Sequence, residues 1–153
     1  MRGWLRALRW LLLGGWLGSW ALFAFVIAPT AFRLLPSGDA AGDLVSPVLR
    51  ILHLYGLAAG IVTFAISFSF RESALLVLLP AVLALLCALT EFGITPSISE
   101  AGPSAGVLPA TEGAAEQFAQ MHQASRMLFA SILAGVALLM VLHSRDSYSA
   151  PQE

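Results

Sequence analysis

The stretch SALLVLLPAVLALLCALT, Ser73 to Thr90, contains no Asp, Glu, Lys or Arg and is bounded by Glu72 and Glu91. At a rise of about 1.5 Å per residue, a helix of this length crosses most of a hydrocarbon core about 30 Å thick. Three more charge-free runs stand around it: Trp10 to Phe32, Ile51 to Phe70 and Met127 to Ser144. With 58% hydrophobic and 11% charged residues, the 153-residue chain lacks the polar surface of a soluble globule. The expectation is an all-α integral membrane protein, a four-helix bundle of antiparallel up-down topology in one domain, 1–153. Its spans are expected at about 10–32, 50–70, 73–93 and 120–143.

The basic start, Met1-Arg2-Gly3-Trp4-Leu5-Arg6, imitates a secretory signal, but the apolar run behind it is too long for one, and it reads as a retained first span. Trp4 and Trp10 suit the headgroup level, and Pro29 bends or ends the helix. Ser37-Gly38-Asp39 is a plausible cap for a helical segment that precedes the second span. Arg71-Glu72 is so short a connection that spans two and three must be antiparallel neighbours. The stretch 95–111, with Pro96, Pro103 and Pro109, reads as an outer loop, and 146–153 as a polar, disordered tail.

With a cytoplasmic N-terminus, Arg2, Arg6, Arg9, Arg71 and Arg145 lie inside and Arg33, Arg50 and Arg126 outside. The arginines of the N-terminus favour that orientation, with both termini cytoplasmic in a bacterial inner (plasma) membrane. A net charge of −1 gives no reason to expect nucleic acid. The single cysteine, Cys87, forbids an intramolecular disulfide.

Ionisable groups within lipid face the bundle interior and mark where function is to be sought. His53, Glu91, His122 and Arg126 come from three spans, and alternating direction brings them to one membrane face at similar depth. On span two, His53, Gly56, Gly60, Thr63 and Ser67 form one small or polar stripe; on span three, Pro80, Ala84, Cys87 and Glu91 share a face. In one reading Glu91 pairs with Arg126 or Arg50 and the cluster only fixes helix register. In the other it binds a ligand: His53, His122 and Glu91 suit a transition metal, with Cys87 as a softer donor, and two histidines could ligate a haem iron. No HxxxH, HExxH or CxxC spacing accompanies them. His143 reads as an interfacial residue.

Small residues four apart, Gly14 and Gly18, Gly56 and Gly60, Ser131 and Gly135, suit close helix packing or a face for a membrane-protein partner or a second copy. No nucleotide loop and no nucleophile elbow are present, which argues against an enzyme.

The segments Gly15 to Leu35, with its Phe25-x-x-x-Pro29-x-x-Phe32 end, Leu52 to Gly56, Thr95-Pro96, and Phe118-x-x-x-His122-x-x-Ser125 resemble the transmembrane protein 205-like family of four-helix membrane proteins. The resemblance covers nearly the whole chain and picks out Pro29, Phe32, His53, Pro96, Phe118, His122 and Ser125. It implies no assigned reaction. Eukaryotic members are linked to platinum-drug resistance and membrane trafficking, and the architecture looks similar to haem-associated membrane proteins with histidines near helix ends. The Pro/Gly-rich stretch Ser97 to Glu112 departs from the family's pattern.

Overall fold

The computed structural model describes residues 2–94 and 112–149. The outer loop 95–111, with Pro96, and residues 150–153 lie outside them, as does the side chain of Phe118. The elements are α1 (Arg2–Leu22), a π-turn (Phe23–Ile27), α2 (Ala28–Leu34), α3 (Gly38–Ser69), α4 (Ala74–Leu89), a second π-turn (Thr90–Ile94) and α5 (Glu112–Ser149). Among the described residues, four helical stretches are long and apolar enough to cross a membrane: Gly3–Leu34, Ala40–Ser69, Ala74–Gly93 and His122–Arg145. The fold is the expected all-α four-helix bundle.

Pro29 does not end the first span. It has no N–H to give to the fourth carbonyl back, and the chain widens into the π-turn just before it, where Ala28 N–H reaches Phe23 O. The helix then continues to Leu34. Ser37 caps α3 as its sequence suggests, its Oγ accepting from Ala40 N–H at 3.2 Å. The pre-span segment and span two are one continuous helix of 32 residues. The last helix likewise runs on to Ser149, so residues 146–149 of the expected tail are helical.

The turn between α3 and α4 is built on an unusual residue. Glu72 N–H bonds to Ser67 O and Arg71 N–H to Phe68 O, both at 3.1 Å, the paired bonds of a Schellman motif. The left-handed position this motif requires is filled by Arg71, at φ 55°, where glycine is usual. Glu72 is the next residue, and the turn aims it back under the bundle.

The bundle neighbours are α1 with α3, α3 with α4, α4 with α5, and α5 with α1, which closes a ring. Leu13, Trp16, Trp20 and Phe23 of the first span are buried at alternating steps of three and four. Ile132, Val136 and Leu139 do the same on α5. Close approach of α3 and α4 depends on Gly60, where a Cβ would sit 2.8 Å from Ala84 Cβ and 2.9 Å from Pro80 O. Gly56 packs against Trp16 and Cys87, and Gly135 against Leu83. The expected packing role of Gly14 and Gly18 is not met among the described residues: a Cβ at either has none of their atoms within 4 Å, Ser131 is exposed, and Gly15 meets the Tyr55 hydroxyl instead.

Candidate functional site

At the end of the bundle away from the termini, α3 delivers His53 and the second π-turn delivers Glu91. His53 is 2% exposed and Glu91 8%. Glu91 Oε2 lies 3.3 Å from His53 Nδ1, and Glu91 Oε1 lies 3.4 Å from Nε of Arg50, whose side chain is 70% exposed. An ionised carboxylate only accepts, so Nδ1 carries the hydrogen and Nε2 is left as a lone pair. Arg50 balances the carboxylate charge, so the contact needs no positive charge on the imidazole. Nε2 is buried and has no hydrogen-bond partner among the described residues.

Aromatic rings wall this end. Trp20 meets the His53 ring edge-on at 5.5 Å and stacks on Phe129 at 4.4 Å, with Phe23 tilted against Phe129 at 5.6 Å. The indole N–H groups of Trp16 and Trp20 are also buried without a partner among the described residues. One turn deeper, Cys87 is fully buried and packs on Gly56.

The stripes expected on spans two and three are both buried: His53, Gly56, Gly60, Thr63 and Ser67 on one helix, Pro80, Ala84, Cys87 and Glu91 on the next. The fourth span does not complete the cluster. His122 and Arg126 lie on an exposed face of α5, and Glu91 takes Arg50, of the two arginines considered, as its ion-pair partner. Among the described residues, no group of three or more His, Cys, Asp or Glu could hold a metal ion. The donor set His53, His122, Glu91 and Cys87 is therefore not assembled. Of the other histidines that could share a haem iron, His122 is exposed and His143 belongs to the opposite end.

That opposite end holds a second buried cluster, built on Arg9, Glu72 and His143. Glu72 Oε1 accepts a hydrogen bond from Arg9 Nη1, and the two side chains are 9% and 4% exposed. Glu72 Oε2 lies 3.3 Å from Nε2 of His143, a residue 1% exposed rather than interfacial. His143 Nδ1 donates to Leu139 O at 2.9 Å, and Ser67 Oγ lies 3.4 Å from Nε2. Arg9 also lies 6.0 Å from the Phe70 ring centroid. Burial opposes the charge on Glu72, but hydrogen bonds from Arg9 and Ser67 and the positive charge of Arg9 outweigh it and hold the carboxyl below its ordinary range. A cleft of about 650 Å³ lined by Phe68, Arg71, Glu72, Ala74, Val77 and Leu78 flanks the turn.

Phase was the signal available for this end. Arg9 falls four residues before Leu13 in the buried stripe, and His143 four after Leu139. Position near the helix ends suggested the headgroups instead.

Four helices apolar enough to cross a membrane, with a buried histidine–glutamate contact beside an arginine at each end, define a multi-pass membrane protein with two buried polar sites. A family model described as a domain of unknown function (DUF4149) matches residues 11–105, more than half of the chain, and the protein belongs to that family. The match takes in His53, Glu72 and Glu91 and ends before α5. No curated protein and no solved structure matches the chain.

Proposed function

We propose that the protein is a non-catalytic, ligand-binding membrane protein whose ligand meets Nε2 of His53. The carrying observation is that Glu91 fixes the ring through Nδ1 while the buried Nε2 has no partner among the described residues. A carboxylate behind one ring nitrogen is how proteins orient a histidine whose other nitrogen is to bind. Glu91 thereby acts as the positioning residue, and Arg50, one of the two arginines expected to pair with it, balances its charge.

One imidazole supplies one donor. A metal bound here would have to bring its own ligands, as a haem or another metal complex does, and the bare zinc or copper ion of a multi-residue site is not favoured. The resemblance to the transmembrane protein 205-like family, with its link to platinum drugs, points the same way. The test is to purify the full chain in detergent, add haemin and read the Soret band. A band that sharpens and shifts in the wild type and not in His53→Ala supports the metal-complex form. Identical spectra for the two proteins would remove it.

A second reading, an accessory subunit that docks on another membrane protein or a second copy, is favoured by Gly14 and Gly18, whose open face points away from the bundle. Cross-linking in membranes that captures no partner, and a monomer in detergent, would count against it. In both readings the termini lie in the cytoplasm and the His53 end faces out of a bacterial inner membrane.

A further inference from the structure

Three buried nitrogen atoms without a partner among the described residues gather on facing sides of α1 and α3: Nε1 of Trp16, Nε1 of Trp20 and Nε2 of His53. Trp16 and Trp20 are fully buried and one helical turn apart, about 6 Å along the axis. Antiparallel pairing sets Trp16 against Gly56 and Trp20 against His53, which are themselves one turn apart on α3. A buried polar atom left unmatched costs about 1–3 kcal/mol, so three within two adjacent turns of one interface are an expensive arrangement to keep without a use.

The atoms differ in kind. Each indole offers an N–H and cannot accept, whereas His53 Nε2, with Nδ1–H committed to Glu91, offers a lone pair. The complement is an oxygen that accepts two hydrogen bonds and donates one. A hydroxyl does this. A carboxylate has no hydrogen for Nε2, and an ammonium has no lone pair for the indoles. The surrounding Leu52, Phe23 and Phe129 are apolar, and the site lies within the span.

We propose that Trp16, Trp20 and His53 form a binding site for the hydroxyl group of a neutral, apolar-tailed alcohol taken from the bilayer. This rests on the reading that His53 meets a ligand, and it names the class of that ligand. The indoles bind the oxygen, the imidazole takes the hydroxyl hydrogen as a hydrogen bond, and Glu91 keeps the ring turned.

The experiment follows the four indole N–H resonances of the ¹⁵N-labelled full chain in phosphatidylcholine nanodiscs. The probe is 1-decanol and the control is decane. Saturable downfield shifts of Trp16 and Trp20 with decanol, none with decane, and none for Trp4 and Trp10 are expected. His53→Leu should weaken the apparent affinity about tenfold, the worth of one hydrogen bond. Trp20→Phe keeps the ring packing and should weaken the Trp16 response to a similar degree. Equal shifts with decane, or indoles that show cross-peaks to water and ignore decanol, would overturn the alcohol site. Haemin bound at His53 with no decanol response would remove the alcohol and leave His53 as the ligand-binding residue. Decanol shifts undiminished in His53→Leu would remove His53 from the site altogether.

Discussion

Glu72 does at one end of the bundle what Glu91 does at the other: each takes an arginine on Oε1 and a histidine at 3.3 Å from Oε2. The two carboxylates differ in their arginines. Arg9 is buried with Glu72, whereas Arg50 reaches Glu91 from solvent or headgroups, with 70% of its side chain exposed. The first cluster ties α1, α3, α5 and the turn together, with Arg9 Nε and Glu72 Oε2 left without a hydrogen-bond partner among the described residues. The second leaves a histidine nitrogen to spare.

The Arg9–Glu72 pair should be costly to halve and cheap to replace whole. Glu72→Leu strands a buried guanidinium and is expected to destabilise by about 3–5 kcal/mol, while Arg9→Leu/Glu72→Leu should recover most of that loss. Unfolding of the three proteins in detergent checks it. A double variant no better than Glu72→Leu would show that the pair's geometry, and not its charge balance, holds the end together.

Acid should loosen the same end. The Glu72 carboxyl titrates below its ordinary 4.5 when folded. Ionisation therefore favours the folded state, and that stability is complete above the unfolded value and is lost as pH falls through the folded one. The stability advantage of wild type over Glu72→Gln, measured by thermal unfolding, should be constant from neutral pH to about 4.5 and shrink below it. An advantage unchanged down to pH values well below 4.5 would contradict this.

Gly60 and Gly14 should respond oppositely to the same change. A methyl at Gly60 collides with Ala84 and with the Pro80 carbonyl, which cannot swing away, so Gly60→Ala should cost about 1–3 kcal/mol. Gly14→Ala meets nothing within 4 Å and should be neutral or gain up to about 1 kcal/mol from helix propensity. Thermal unfolding of both variants in detergent decides the matter. A large loss at Gly14 that appears only in membranes would support the docking reading.

Arg71 is exposed and strained, so Arg71→Gly should stabilise by about 1 kcal/mol through relief of its left-handed backbone, less the entropy glycine adds to the unfolded chain. Arg71→Ala, which keeps the strain, is the control.

Orientation has a separate check. A reporter fused after Glu153 that is active only in the cytoplasm is expected from the arginine distribution. Activity on the far side would invert the placement of both polar ends.

The sequence by itself determined four helices long and apolar enough to cross a membrane, because charge-free runs of this length favour lipid over water, and it determined the buried phase of His53 and Glu91, because helical spacing stacks them with small residues. The cap at Ser37 and the tight turn at Arg71-Glu72 were legible for the same local reason. Only the tertiary structure decided which of these groups meet. His122 was expected at the depth of His53, yet on α5 it is Phe129, two turns away, that reaches Trp20 beside His53, and His122 stands beyond it on an exposed face; no count of residues fixes how far α5 slides or turns. Arg9, Glu72 and His143 are scattered along the chain and stand near helix ends, where charge is ordinarily solvated. Their burial follows from the packing of α1 and α5 around the α3–α4 turn, which closes the bundle over them and leaves pairing as the only way to keep their charge.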